Sequence, residues 1–209
     1  MTDSQQKAWE TQFSRYGLSL GDGGLDWSRE FGAGRPRILE IGFGMGDSLA
    51  AMAEADATAA FVGIEVHRPG VGRLLSEIDR LGLENLKVYA EDAVEVFERV
   101  IASESLDRIQ IYFPDPWHKK RHHKRRLIQP EFVSLLSDRL SPGGKLHLAT
   151  DWQPYAEHML EVLDANAELT NDVGAGHYSG KPSWRPETKF ERRGQRLGHG
   201  VWDLLYSKA

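Results

Sequence analysis

The sequence predicts an α/β fold: a mostly parallel sheet with helices on both faces. Three observations lead there. Short apolar runs alternate regularly with helical stretches along most of the chain. The apolar runs are nearly continuous and contain branched residues, as in strands buried on both faces. Glycine, proline or an acidic residue lies at or shortly after the end of most runs, as a turn requires. Strand and helix taking turns in this way give a covered parallel sheet.

Arg37–Ile41 is the first predicted strand, ended by Gly42-Phe43-Gly44-Met45-Gly46. Asp47–Ala55, rich in Ala, Leu and Met, follows as a helix. Ala60–Val66 is a strand and Val71–Leu81 an amphipathic helix. Leu86–Tyr89 is a strand and Ala93–Ala102 a helix. Leu106–Phe113 is a strand with Ile109 and Ile111 inside it. Pro130–Leu140 is a helix, with Ser141-Pro142-Gly143-Gly144 as the turn after it. Lys145–Thr150 is a strand, Gln153–Ala165 a helix and Val201–Tyr206 a final strand. Residues 1–34 are set apart as an N-terminal extension, free to be flexible, before a single domain at 35–209.

A chain of 209 residues is long enough for one domain with a sizeable core. Hydrophobic residues make up 40% and charged residues 27%, as in soluble globular proteins. No apolar run approaches the roughly 20 residues that a membrane span needs. Cysteine is absent, which excludes disulfides, thiolate metal sites and cysteine nucleophiles and suits a cytoplasmic chain. The net charge is −5, yet six of the 26 Lys and Arg fall between Lys119 and Arg126. Setting those six aside leaves 20 positive against 31 negative residues, a body at −11. One basic patch on an acidic body suits a polyanion held at one place and repelled elsewhere.

In a parallel sheet the ligand lies beyond the carboxyl ends of the strands. Glu40, Glu65, Asp92, Asp115 and Asp151 all fall there. Gly42, Gly44 and Gly46 let a ligand approach the backbone closely. A dinucleotide site would place a third glycine where this loop has Asp47, and a carboxylate there repels pyrophosphate. S-adenosylmethionine has no phosphate and carries a sulfonium and an ammonium, so an acidic rim of Glu40 and Asp47 suits it better. Glu65, 23 residues after Gly42, is placed to accept from ribose hydroxyls, and Asp92 from an adenine amino group.

Pro114-Asp115-Pro116-Trp117 is a rigid loop that presents one carboxylate and one large aromatic ring. A nucleic-acid base could stack on Trp117, or the ring could be core. The basic run follows at once: His118, Lys119, Lys120, Arg121, His122, His123, Lys124, Arg125, Arg126. His122 and His123 have no third ligand at metal-site spacing, so no metal is expected.

These residues resemble the bacterial tRNA (guanine-N7-)-methyltransferase family. The matching stretches are Leu39–Gly46, Gly63–His67, Phe113–Trp117, His118–Arg126, Ala149–Trp152 and Thr188–Arg192, in the family's order. The resemblance implies a Rossmann-like class I methyltransferase fold with a seven-stranded sheet. It implies methyl transfer from S-adenosylmethionine to N7 of the variable-loop guanine of tRNA (tRNA position 46). It places cofactor contacts at Glu40, Glu65, Asp92 and Asp115, and substrate contacts at Lys119, Asp151, Thr188, Lys189, Phe190 and Glu191. RNA contact is expected along Lys120, Arg121, His122, His123, Lys124, Arg125 and Arg126, and Asp115 is the expected catalytic residue. Monomer and homodimer both remain open. So do two other functions: a same-fold RNA methyltransferase acting on another base position, and an inactive tRNA-binding protein.

Overall fold

The computed structural model describes residues 1–187, 191 and 200–209. Its centre is an eight-stranded sheet. The strands are β1 (Gly17–Leu18), β2 (Arg37–Ile41), β3 (Ala60–Ile64), β4 (Leu86–Tyr89), β5 (Leu106–Tyr112), β6 (Leu140–Thr150), β7 (Leu169–Asn171) and β8 (Trp202–Lys208). They lie in the order β1-β4-β3-β2-β5-β6-β8-β7. β8 is antiparallel to both β6 and β7, and the remaining pairs are parallel. The order reverses between β2 and β5, where such a sheet opens a crevice.

The helices cover both faces. On one face, α1 (Asp3–Tyr16), α3 (Asp47–Ala55) and α4 (Arg68–Leu81) bury Tyr16, Leu49, Met52, Leu74 and Leu75 against Ile38, Phe61 and Val88 of the sheet. On the other, α2 (Trp27–Phe31), α5 (Ala93–Arg99), α6 (Pro130–Arg139) and α7 (Gln153–Asp164) bury Trp27, Phe97, Leu136 and Met159 against Leu39, Val62, Ile109 and Leu148. Neighbouring strand residues serve opposite cores, as pleating requires.

Three expectations change. The sheet has eight strands, not seven, because Gly17–Leu18 adds an edge beside β4. Residues 1–34 do not stand apart: Thr2 and Gln5 form a capping box for α1, Trp9 stacks on Phe13, and Tyr16, Leu18, Trp27 and Phe31 are buried. Finally, Ser141–Gly144 lies within β6, absorbed by a register shift opposite Leu106–Arg108 and by Gly143 at φ +76°.

Candidate active site and nucleic-acid face

Sheet register brings the predicted carboxylates to one rim. Ile41 of β2 pairs with Ile64 of β3 on one side and Ile111 of β5 on the other. Ile64 pairs in turn with Tyr89, and Tyr112 with Ala149. Asp92, Glu65, the glycine loop, Asp115 and Asp151 therefore leave five neighbouring strands at the same edge.

The glycines divide into two jobs. Gly42, Gly44 and Gly46 all have positive φ, at +72°, +60° and +79°. Gly42 and Gly44 are exposed, and a Cβ on either would meet nothing within 4 Å. That is open backbone a ligand can approach. Gly46 is buried, and its Cβ would lie 2.8 Å from Leu74. It caps α3 and lets α4 pack close, a packing job that Gly42 and Gly44 do not share. Asp47 is paired with Arg73 at 3.0 Å.

Each acid is held differently. Glu65 accepts from the Gly44 N–H (2.9 Å) and from the His67 N–H (2.9 Å), so it braces the glycine loop. Asp92 caps α5, with Oδ1 accepting from Val94 and Glu95. Glu40 is 3% exposed and accepts from Gln110 Nε2 at 2.6 Å. Burial pushes its carboxyl up to about 7, against the lowering effects of Gln110 and Arg108. Asp115 is exposed, and its Oδ1 accepts the Trp117 N–H at 2.9 Å. Its second oxygen has no hydrogen-bond partner among the described residues. The loop is strained at both ends, with Phe113 at φ +52° and Trp117 at φ +46°. Such conformations cost about 1–3 kcal/mol each and gather at functional sites.

Trp117 belongs to neither core cluster; His122 packs edge-on against its ring at 5.9 Å and Arg125 covers it at 5.1 Å. The more open aromatic is Trp152, 38% exposed, with His118 edge-on at 4.3 Å. Met45, Val66 and Val94 are also exposed, just beyond Gly44, Glu65 and Asp92. Apolar residues beside strand-end acids are a signal that acid-based reading passes over. They give a flat aromatic ligand apolar surface next to polar anchors.

The basic run forms a 3₁₀ helix at Lys120–Arg125. Lys119, Lys120, Arg121, Lys124 and Arg125 are exposed and make no ion pair among the described residues. Arg126, the last residue of the expected RNA-binding run, is set differently from the others. It is 4% exposed, donates from Nε to the Pro116 carbonyl at 2.8 Å and lies over the Tyr155 ring at 4.7 Å. His123 also turns inward, toward Arg126 Nη2 at 3.1 Å. Among the described residues no cluster of three or more His, Cys, Asp or Glu could hold a metal, and no helix is long and apolar enough to cross a membrane.

Of the C-terminal substrate residues, Thr188, Lys189 and Phe190 lie outside the described residues. Glu191 is 3% exposed and paired with Arg185. Sequence reasoning missed Arg185, His147 and Asp203, which lie behind the site in one buried network with Tyr112, Gln110 and Glu40. A lone buried polar residue in a strand, such as His147 or Asp203, was the available signal.

A family model described as "Putative methyltransferase" matches residues 34–204. A protein of Alcanivorax borkumensis named tRNA (guanine-N(7)-)-methyltransferase is 58% identical over 208 residues, covering 100% of this chain and 87% of that one. The chain belongs to the tRNA (guanine-N7-)-methyltransferase family. A relative of the same name from Marinobacter nauticus is 55% identical, covering 99% of this chain and 87% of its own. One from Saccharophagus degradans is 51% identical, covering 100% and 91%. Among solved structures, the 16S rRNA methyltransferase KamB superposes with a TM-score of 0.64 at 15% identity, covering 88% of this chain and 92% of its own. The resistance methyltransferase NpmB1 gives 0.58 at 17%, covering 92% and 94%. At such identities the likeness shows the fold, that of class I methyltransferases. S-adenosylmethionine is the methyl donor of this family.

Proposed function

We propose that this chain transfers the methyl group of S-adenosylmethionine to N7 of the variable-loop guanine of tRNA, in the cytoplasm. The observation that carries the reading is the Asp115 loop. It is strained at both ends, leaves β5 beside the glycine loop, and runs directly into five exposed cations that no acid among the described residues neutralises. Cofactor rim, carboxylate and RNA-facing charge are thus consecutive on one edge. The names carried by relatives more than 50% identical over the whole chain support tRNA and guanine N7.

The residues present fit the cofactor. Glu40, Glu65 and Asp92 offer carboxylates, and Gly42 and Gly44 offer open backbone. When bound, it supplies an electrophilic methyl group on a sulfonium. Guanine N7 carries a lone pair and no proton, so no general base is required. The chain's task is alignment, which can remove roughly 7–11 kcal/mol of barrier. The N7 lone pair forms the new bond, the old pair stays on sulfur, and positive charge moves onto the guanine ring. Asp115 faces that charge, and its carboxylate can accept from guanine N1–H and the 2-amino group. Lys119 and Asp151 flank the base, and Thr188 and Lys189 are further substrate contacts. The run from Lys120 to Arg125 grips phosphates.

The test incubates the protein with labelled S-adenosylmethionine and unmodified tRNA, then identifies the nucleoside and its position. N7-methylguanosine in the variable loop, cleavable after borohydride and aniline, is the expected product. Label on an exocyclic amine, or none with cofactor bound, would sink the reading. Asp115→Ala should lower kcat by about 10²–10³-fold, the scale of losing one fixed electrostatic partner. Near-normal turnover with tRNA bound would remove Asp115 from the mechanism.

A further inference from the structure

Helix α4 opens with Arg68-Pro69-Gly70-Val71-Gly72. Both glycines are buried, and neither has a positive φ, so backbone freedom does not call for them. Inside a helix a glycine is less stable than an alanine. What these two supply is space. At Gly70 the neighbour is the glycine loop. A Cβ there would stand 2.0 Å from the Gly44 carbonyl oxygen and 3.0 Å from the Gly44 carbonyl carbon. An ordinary carbon–oxygen contact is about 3.3–3.6 Å, so α4 or the loop would have to move by roughly 1 Å. The obstacle is backbone, which cannot rotate aside as a side chain can. At Gly72 the neighbour is α1, and a Cβ would stand 2.6 Å from the Gln5 carbonyl oxygen. Two glycines on one helix thus serve two different contacts.

Of the two partners at Gly70, α4 is the firmer. Val71, Leu74, Leu75 and Ile78 are fully buried. Gly72 lies against α1, Leu74 lies against Gly46, and Arg68 covers the Trp9 ring at 5.3 Å. The glycine loop has an open side. Gly42 and Gly44 are exposed, and nothing stands within 4 Å of where their Cβ atoms would be. A push from position 70 is therefore taken up by the loop.

Gly44 is held at both ends. Its N–H donates to Glu65 Oε2 at 2.9 Å, and its carbonyl lies against Gly70. Glu65 Oε1 accepts the His67 N–H at 2.9 Å, and the His67 carbonyl accepts the Gly70 N–H at 2.9 Å. Glu65, His67 and Gly70 form one short frame around Gly44.

We propose that Gly70 is a positioning residue for the cofactor. By letting α4 touch the Gly44 carbonyl, it sets where the loop lies that receives S-adenosylmethionine. It acts through Gly44 and does not itself meet the cofactor. The proposal rests on the reading that Gly42, Gly44 and Glu65 face the cofactor.

The test compares Gly70→Ala, Gly72→Ala and Glu65→Ala with the wild type. The readouts are S-adenosylmethionine affinity by calorimetry, kcat, KM for tRNA and thermal melting. Gly70→Ala and Gly72→Ala should both melt earlier, because each new methyl meets backbone. Only Gly70→Ala should weaken cofactor binding, by about 10–100-fold, the scale of a 1 Å misplacement. Its KM for tRNA should hold, because the basic run is built on other elements. Gly72→Ala should keep the wild-type affinity. If Gly70→Ala is unfolded in buffer, all four chains are compared in trimethylamine oxide, which favours the folded state. A variant that stays unfolded there would make Gly70 a requirement of the fold alone and overturn the proposal. So would wild-type affinity in Gly70→Ala. An equal loss of affinity in Gly72→Ala would mark a general loosening of α4, and it too would overturn the proposal. Full affinity in Glu65→Ala is a separate failure: the loop would not face the cofactor, and the parent reading would fall first.

Discussion

Glu40 shows how much one residue's setting matters. Its folded value of about 7 stands above the ordinary 4.5. Between those values the folded state keeps a proton that the unfolded state has lost, so stability falls as pH rises through this window. The full effect is about 3 kcal/mol at most, taking 1.36 kcal/mol per pH unit. Urea melts at pH 5 and pH 7.5 should show the decline in the wild type and a much smaller one in Glu40→Gln. An equal slope in both would assign the effect elsewhere. The cofactor supplies a second check. If its ammonium lies against Glu40, binding near pH 6.5 should release about three-quarters of a proton, seen by calorimetry in buffers of different ionisation enthalpy. Buffer-independent heats would remove Glu40 from the cofactor's charge partners.

At the scale of elements, the basic helix and its tether should separate cleanly. Lys120→Ala and Lys124→Ala should each weaken tRNA binding. Each should also reduce the slope of log K against log salt by about 1 if the lysine meets one phosphate. Melting temperature should hold. Arg126→Ala should do the reverse: a lower melting temperature, because the Pro116 carbonyl and the Tyr155 face lose their partner. A lost salt slope with unchanged melting would return Arg126 to the RNA face. Nine residues of basic sequence look alike as letters. Arg126 differs only because α7 brings Tyr155 beneath it, a contact between positions 29 apart. The glycine loop carries the same lesson, since Gly46 is set apart from Gly42 and Gly44 by Leu74 on a later helix.

For the whole molecule, the N-terminal segment matters most. Removing residues 1–18 takes away α1 and β1 and uncovers the face of α4. Tyr16 and Leu18 are both buried, each worth about 1.5–3 kcal/mol. For a chain of this size the melting temperature should drop by about 10 °C. An unchanged melt would mean that the segment docks without stabilising the body. The sequence pattern here was hard to read because β1 spans only 2 residues and α1 is polar over most of its surface.

The alternation of apolar runs was enough to determine the parallel sheet, its two covered faces and the rim on which Glu40, Glu65, Asp92, Asp115 and Asp151 gather. Strand ends are local, and pleating plus chain direction puts them on one side. The loop at Pro114–Trp117 and the basic run after it could be located as well, because their residues are consecutive. Tertiary structure decided what depends on distant partners. It set Glu40 dry against Gln110, turned Arg126 inward and made Gly46 a packing glycine. It also joined Arg185 to Glu191, six residues on, and to Asp203 of β8, 18 residues on. Burial and pairing are properties of the assembled sheet, and no run of residues states them alone.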